Sequence, residues 1–538
     1  MATKAAKKII QDKKKQIVKD YIDLAGSLDR AVKMSDLNDI GHTKDSINHH
    51  FQSLARLDSV AREQSPDDFG DVSVSSLLGP KALSQLQGAV GKYKRFVITT
   101  AVTGCKVKQG FYDSIKTYCS LKDAALLILA QSTPSTNRAK GNYGYIDKRL
   151  AGEYLVVADT ALNSNFYIST IKLSAKQIDP ITGLGRIGQR NGSFVYASPK
   201  QRLKAVPVSN TKHPHFLMTT GAITESNYVT SNYMAERTAS IADNDHVIGA
   251  IIVEIEDDNY YYFRQIQADV DGSFIDLGQR YTPKFSVACP AEVLVLGDWH
   301  AGETDPVAVG VWKEVADLVK PKMLVLHDVF NGLSINHHEE EKQILKAQRA
   351  EANQLNLRAE IENLALDLES LSTWADEVII TRSNHDEFLE RYLQSGTYVE
   401  DPQNHRYALD LAAAMIDGYD PLAYAVERVN VNIGLSKVRW LTRDSDFKVA
   451  RIQLAYHGDK GANGAKGTLQ AMESAYGISV TGHSHTPEIL RGAWAVGTSS
   501  FLKLSYNVGI SSWMQSSILI YPNGMRQMIH CVDGKWKI

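Results

Sequence analysis

From about residue 288 onward, five short apolar runs each stop at His, Asp or Asn: VLVLGDWH, KMLVLHDVFNG, EVIITRSNHDE, IQLAYHGDKG and ISVTGHSH. Runs of that length read as strands buried on both faces. In open α/β sheets, ligands bind beyond the carboxyl ends of the strands. The five ends therefore pool Asp298, His300, Asp328, Asn384, His385, His457, His483 and His485 at one rim.

Imidazole, carboxylate and amide oxygen without thiolate suit intermediate to hard divalent metals, and a set this large exceeds what one ion needs. It points to a pair. Two ions about 3.5 to 4 Å apart clamp the attacking and leaving oxygens of an in-line phosphoryl displacement and acidify a bound water. A single D-x-H or H-x-H means little, because histidines satisfied in a core or on a surface outnumber ligands. The weight lies in the ordered series at successive strand ends.

That series resembles the calcineurin-like metallophosphoesterases, whose pattern is D-x-H, G-D-x-x-D, G-N-H-D/E, a later single His, and G-H-x-H. The matching residues are Asp298 and His300 around Trp299, Asp328 in HDVFN, SNHD at 383–386, His457 in YHGD, and GHSH at 482–485. The resemblance implies a C-terminal α/β sandwich with helices on its outer faces. It implies one divalent ion on Asp298, His300 and His485, another on Asn384, His457 and His483, and Asp328 bridging them. Asp328 and His385 become the catalytic candidates, His385 as proton donor or charge stabiliser beside the leaving group. Mn²⁺ is the preferred ion, with Zn²⁺ or Fe²⁺ suiting similar donors.

Three departures stand out. His327 replaces a Gly, Asn331 replaces the second Asp, and Ser383 replaces the Gly before Asn384. None removes a ligand. The G-D-x-V-D-R-G and G-N-H-E patterns of the Ser/Thr protein phosphatases are absent, which demotes that activity. SNHD is similar instead to the DNA-repair nuclease branch, and in length and domain order the chain resembles the pre-early DNA-degradation proteins of T5-like bacteriophages. The implied function is a DNase in phage-driven degradation of host DNA, within the host cytoplasm. The alternatives are a nucleotidase or cyclic-nucleotide phosphodiesterase, and a DNA-binding scaffold with a non-catalytic metal site.

Ahead of this region, residues 1–70 read as a helical module. In MSDLNDIGHTKDSINHHFQSLARL a short helix, a turn at Gly41 and a Thr43 N-cap lead to a helix with Ile47, Phe51 and Leu54 on one face. Lys44, His49 and Arg56 fall near the other face, where a helix-turn-helix would meet DNA; many small helical bundles share the pattern, and a plain helical or oligomerisation module is the favoured reading. Residues 66–90 read as a linker. Residues 91–287 read as an α/β middle domain, a strand–helix–strand unit rather than a repeat, followed by a β-meander. Lys204, Lys212, His213 and His215 there read as scattered surface charge rather than a basic patch.

Within the C-terminal domain, 288–538, an insertion at about 339–373 carries Leu357, Ile361, Leu364, Leu368 and Leu371 at heptad spacing. It packs on its own domain or forms a subunit contact, and a homo-oligomer is expected. The loop GDKGANGAKGT places Lys460 and Lys466 after His457 as candidate phosphate contacts.

Lys and Arg total 59 against 61 Asp and Glu, so contact with DNA must come from local patches rather than from the net charge. Cys105, Cys119, Cys289 and Cys531 show no C-x-x-C spacing, which argues against a disulfide scaffold and for a reducing cytoplasm. No apolar run approaches the roughly 18 residues that cross a bilayer. A soluble protein without a membrane partner is expected.

Overall fold

The computed structural model describes residues 4–27, 32–52, 54–65, 70–131, 144–187, 192–209, 213–226, 228, 233–339, 341–429 and 435–538. The architecture is mixed α/β.

The apolar runs form strands because alternate residues find different cores. Val293, Val295, Val325 and Ile379 face a core between sheets, whereas Leu294, Leu296, Leu324, Leu326, Val378 and Ile380 face helices. Burial on both faces is what makes the runs continuously apolar. The resulting six-stranded sheet runs Val438–Trp440, Glu377–Thr381, Met323–His327, Val293–Val295, Ser516–Ile520, Arg526–His530. Its first four strands are parallel, and the last two are antiparallel. The parallel strands present their carboxyl ends at one edge, where Asp298, His300, Asp328, Asn384 and His385 lie, whereas His457, His483 and His485 follow the strands Ile452–Gln453 and Ser479–Thr481 of a second sheet.

The middle region, expected to contain no repeat, repeats this topology. Its five-stranded sheet has the order Tyr261–Gln267, Gly249–Ile255, Arg95–Val102, Ala124–Gln131, Tyr154–Leu155, again an antiparallel pair followed by parallel strands. The crossover helices, Gln109–Lys122 and Pro306–Val319, are each 14 residues long and end at a left-handed residue, Asp123 and Lys320. One ten-stranded sheet lies behind both. From its seam, Arg202–Val206 against Glu488–Leu490, each direction meets an antiparallel, two parallel and an antiparallel pairing. Two sandwiches therefore join edge to edge, and the inter-sheet core continues across residue 288, from Phe216 and Phe263 to Met528 and Ile518.

At the seam Lys204, Leu203 and Arg202 pair with Glu488, Ile489 and Leu490. Arg202 adds an ion pair to Glu488 at 2.8 Å and donates to the Ile489 carbonyl at 2.8 Å. The repeat is hidden from motif reading because the first sandwich lacks the motifs. Its corresponding strands end at or run into Thr103, Gln131, Thr170 and Ala197.

The N-terminal module comprises helices Lys4–Ser27, Met34–Asp39, Lys44–Phe51 and Leu54–Gln64 around Ile17, Tyr21, Leu37, Ile47, Phe51 and Leu57. Thr43 Oγ1 accepts from Ser46 N at 3.2 Å, and Gly41 turns the chain at φ 90°. Arg62 pairs with Asp58 at 2.9 Å and also with Asp71, tying the module to the first sandwich. Part of the expected linker is structured: Pro80–Lys92 is a helix, with Leu86 and Ala89 buried in the inter-sheet core.

Of the two outcomes expected for the heptad-spaced insertion, packing on its own domain is the one observed. It forms helices Gln343–Glu351 and Leu357–Leu371. Leu357, Ile361, Leu364, Leu368 and Leu371 are all buried against their own sheet and neighbouring helices. The stripe is used up inside the chain and offers no subunit contact.

Candidate metal centre

Asp298, His300, Asp328 and His485 bring one ligand atom each within 4.8 Å of one another, as do Asp328, His457 and His483. Asp328 belongs to both groups. His485 Nε2 is 3.1 Å from Asp298 Oδ2, His457 Nε2 is 3.2 Å from Asp328 Oδ2, and His300 Nε2 is 3.0 Å from His485 Nε2.

Several of these polar atoms are buried without a hydrogen-bond partner: Asp298 Oδ1, Asp328 Oδ1, Asn384 Oδ1 and His457 Nδ1. Buried polar groups are normally satisfied. Donor atoms that converge yet do not satisfy one another fit a cation, and the set has the chemistry that divalent metals take.

The electrostatics agree. Burial opposes ionisation of Asp328, but the imidazoles of His457, His385 and His300 hold it well below the usual carboxylate range. Burial pushes His300 down to about 3, which keeps it neutral as a ligand must be. Burial also opposes a charge on His457, yet Asp328 and Asp298 carry it up to about 9. Two dry carboxylates draw positive charge to the rim.

The backbone is bent to aim these side chains. His300, Asp328, His483 and His485 have φ of 52°, 47°, 73° and 53°, a region costly for residues with a Cβ. Interlocking hydrogen bonds hold them there: His300 N donates to the Asp328 carbonyl at 2.8 Å, and His483 N donates to Asp298 Oδ2 at 2.8 Å. Gly482 is required because a Cβ there would run into Asp298 Oδ1 and the His327 ring.

His385 stands beside this cluster, its ring centroid 4.8 Å from that of His300. Its Nδ1 lies 3.0 Å from the Asn331 carbonyl. A carbonyl only accepts, so Nδ1 carries the hydrogen and Nε2 is left for other chemistry. Phe388 stacks on the ring at 4.6 Å. Asp386 accepts from Phe330 N at 3.2 Å and Ser383 N at 3.0 Å, clamping the turn of Asn384 and His385 to the loop after Asp328.

Two of the three departures from the pattern the sequence resembles, Asn331 and Ser383, acquire structural roles. Asn331 serves through its backbone, Ser383 Oγ accepts from Asp386 N at 3.1 Å, and His327 is buried with neither ring nitrogen paired. Sequence reasoning did not find the Asn331 carbonyl, Phe388, or Trp513, whose ring meets His485 edge-on at 4.1 Å. Neither a backbone carbonyl nor a packing ring has a motif signature.

The remaining candidates lie apart from these ligand groups. Lys460 is held by Glu387 at 3.1 Å, and Glu387 is also bound by Arg443 at 2.7 Å. Lys466 is exposed across the same loop, bridged to Lys460 through the backbone. Lys44, His49 and Arg56 are exposed on the N-terminal module. His213 bonds Asp533 at 2.9 Å, Lys204 lies on the seam, and Lys212 is outside the described residues.

Among known proteins the chain is similar to Protein A1 of Escherichia phage T5, with 27% identity over 474 residues that cover 84% of each protein. This relates it to a T5-type phage protein. No protein-family model matches it, and no solved structure does. Among the described residues, no helix is long and apolar enough to cross a membrane.

Proposed function

We propose that the chain is a metal-dependent phosphodiesterase that hydrolyses DNA, built on a calcineurin-like sandwich. The observation that carries this reading is that two converging ligand groups share one carboxylate, Asp328. Asp298, His300 and His485 would hold one divalent ion, Asn384, His457 and His483 the other, and Asp328 both. The mixed imidazole, carboxylate and amide donors favour Mn²⁺, with Zn²⁺ and Fe²⁺ suiting similar sets. When bound, such a pair lowers the pKa of water and neutralises charge developing on phosphoryl oxygens.

The chain's own residues do the rest. His385, anchored through Nδ1 to Asn331 and pressed by Phe388, would turn Nε2 toward the departing oxygen and, as the imidazolium, give it a proton. Burial of Asp298, His300 and His457 keeps bulk water from competing for the ligands. The likeness to a T5 protein supports a phage setting and, with it, the host cytoplasm as location; host DNA as substrate is part of the proposal. Residues 1–70 are read as a DNA-gripping module, 91–287 as the supporting sandwich and 288–538 as the catalytic one. Homo-oligomerisation belongs to the same proposal, through a surface other than the Leu357–Leu371 stripe.

Metal analysis combined with turnover of duplex DNA, single-stranded DNA, RNA and bis-p-nitrophenyl phosphate tests the reading. Bound metal with DNA cleavage is expected. Turnover of the small diester alone would favour a nucleotidase or cyclic-nucleotide phosphodiesterase, and metal without turnover a DNA-binding scaffold.

A further inference from the structure

Residues 499–515 border the metal centre and are fastened to it at both ends. Ser499 N donates to the Asp298 carbonyl at 2.8 Å, and Met514 N donates to the His485 carbonyl at 3.1 Å. Between these anchors the segment carries Phe501, Lys503, Tyr506 and Trp513, and no Asp or Glu. Ile510–Ser511 pairs with Val208–Ser209 of the first sandwich, which braces the loop from outside.

Folding ordinarily buries aromatic rings. Here Phe501 is 42% exposed and Tyr506 50% exposed. The Tyr506 ring lies 5.7 Å from Trp513, which in turn meets the ligand His485. Burial and the carboxylates of Asp328, Asp298 and Glu303 raise the pKa of the Tyr506 phenol. Tyr506 is half exposed to solvent while its ring meets that of Trp513 edge-on. Trp513 and then Tyr506 lead outward from His485, and Phe501 and Lys503 are exposed on the same segment.

We propose that this segment is a stacking platform for the unpaired bases of a nucleic-acid strand whose phosphate lies at the metal centre. The inference rests on the phosphodiesterase reading and names its substrate class: single-stranded DNA, or duplex DNA opened at an end. Every base offers a flat face, so stacking on Tyr506 and Phe501 tolerates any sequence. Lys503 suits the backbone between bases, and the absence of carboxylates from the segment spares that backbone a local repulsion.

The test uses the full chain with its metals and two non-cleavable phosphorothioate probes of equal length, an oligothymidylate and its abasic counterpart. Wild type should bind the base-bearing strand roughly 10-fold or more tighter. The Phe501→Ala, Tyr506→Ala double variant should lose that preference, Tyr506→Phe should retain it, and both should turn over bis-p-nitrophenyl phosphate as wild type does. Equal binding of the two probes by wild type, or an undiminished preference in the double variant, overturns the inference. So does loss of small-diester turnover in the double variant, which would make the rings supports of the site, or its dissociation into smaller species, which would make the loop a contact between copies. If wild type cleaves no diester at all, the hydrolytic reading falls and the binding comparison still decides the platform.

Discussion

Asp328 combines three costs in one residue: a buried charge, a left-handed backbone and membership of two ligand groups. Such strain persists only where the surroundings enforce it. Asp328→Ala relieves the backbone little but removes the shared oxygen donor, so the protein should stay folded, carry less metal by elemental analysis and hydrolyse no phosphodiester. Normal turnover by the folded variant would refute a shared metal pair. His385→Ala should differ, because the ring leans on Asn331 and Phe388 rather than completing either ligand group. We expect it to keep its ions and lose about 10²- to 10⁴-fold in rate, with the smallest loss on p-nitrophenyl leaving groups, which need no proton. Equal losses on p-nitrophenyl and alkyl diesters would argue against proton donation. The residues that converge on the candidate site are legible in the sequence because each ends an apolar run. Their supports are not: the Asn331 carbonyl is common to every residue type, and Asp386 could be quoted in SNHD without revealing that it clamps Phe330 and Ser383.

Heptad spacing at Leu357–Leu371 illustrates an ambiguity at the level of elements. A helix pressed against a sheet and a helix in a coiled coil both need an apolar residue every three or four positions. Only burial separates them, and here the sheet side wins. Leu364→Lys with Leu368→Lys should therefore cost several kcal/mol as unpaired charge is buried, seen as a lowered or absent cooperative melt. A folded variant that merely dissociated would restore the subunit-contact reading. The strand pairing has its own polar lock. Arg264, fully buried, donates to Asp276 at 2.8 Å and to Glu254 at 3.2 Å, and Gln527 of the second sandwich donates to Asp276 at 2.8 Å. Arg264→Met removes the cation that Asp276 and Glu254 share, leaving them Gln527 and Arg95 respectively, and should cost about 3 kcal/mol near neutrality. Burial works against ionised Glu254, but Arg264 holds its pKa below the ordinary value. The stabilisation is thus present above the unfolded pKa and is lost as pH falls through the folded one. Denaturant melts should show the gap between wild type and Arg264→Met narrowing in acid, and a gap constant with pH would argue against the carboxylate origin.

The whole molecule sets the sandwich that carries the candidate site beside one that lacks its motifs, and this relation was invisible in the sequence because it lives in strand order rather than in residue type. The helical module sits on the sandwich without the motifs through Arg62 and Asp71. If it grips DNA, deleting residues 1–65 should raise KM for long DNA and flatten the salt dependence by about 0.9 in log–log slope per lost phosphate contact. Turnover of bis-p-nitrophenyl phosphate should stay nearly unchanged. Equal loss on both substrates would instead make the module a support of the fold. The seam between sandwiches also bears on how the chain is made. Arg202 and Ile489, bonded across it, are 287 residues apart. At about 5 to 20 residues per second, a ribosome takes roughly 15 to 60 s to supply the missing neighbour. Throughout that interval the Arg202–Val206 strand is an open edge, the kind of template on which nascent chains aggregate. Lys204, projecting from the middle of that strand, is the charge that guards it until Glu488 arrives.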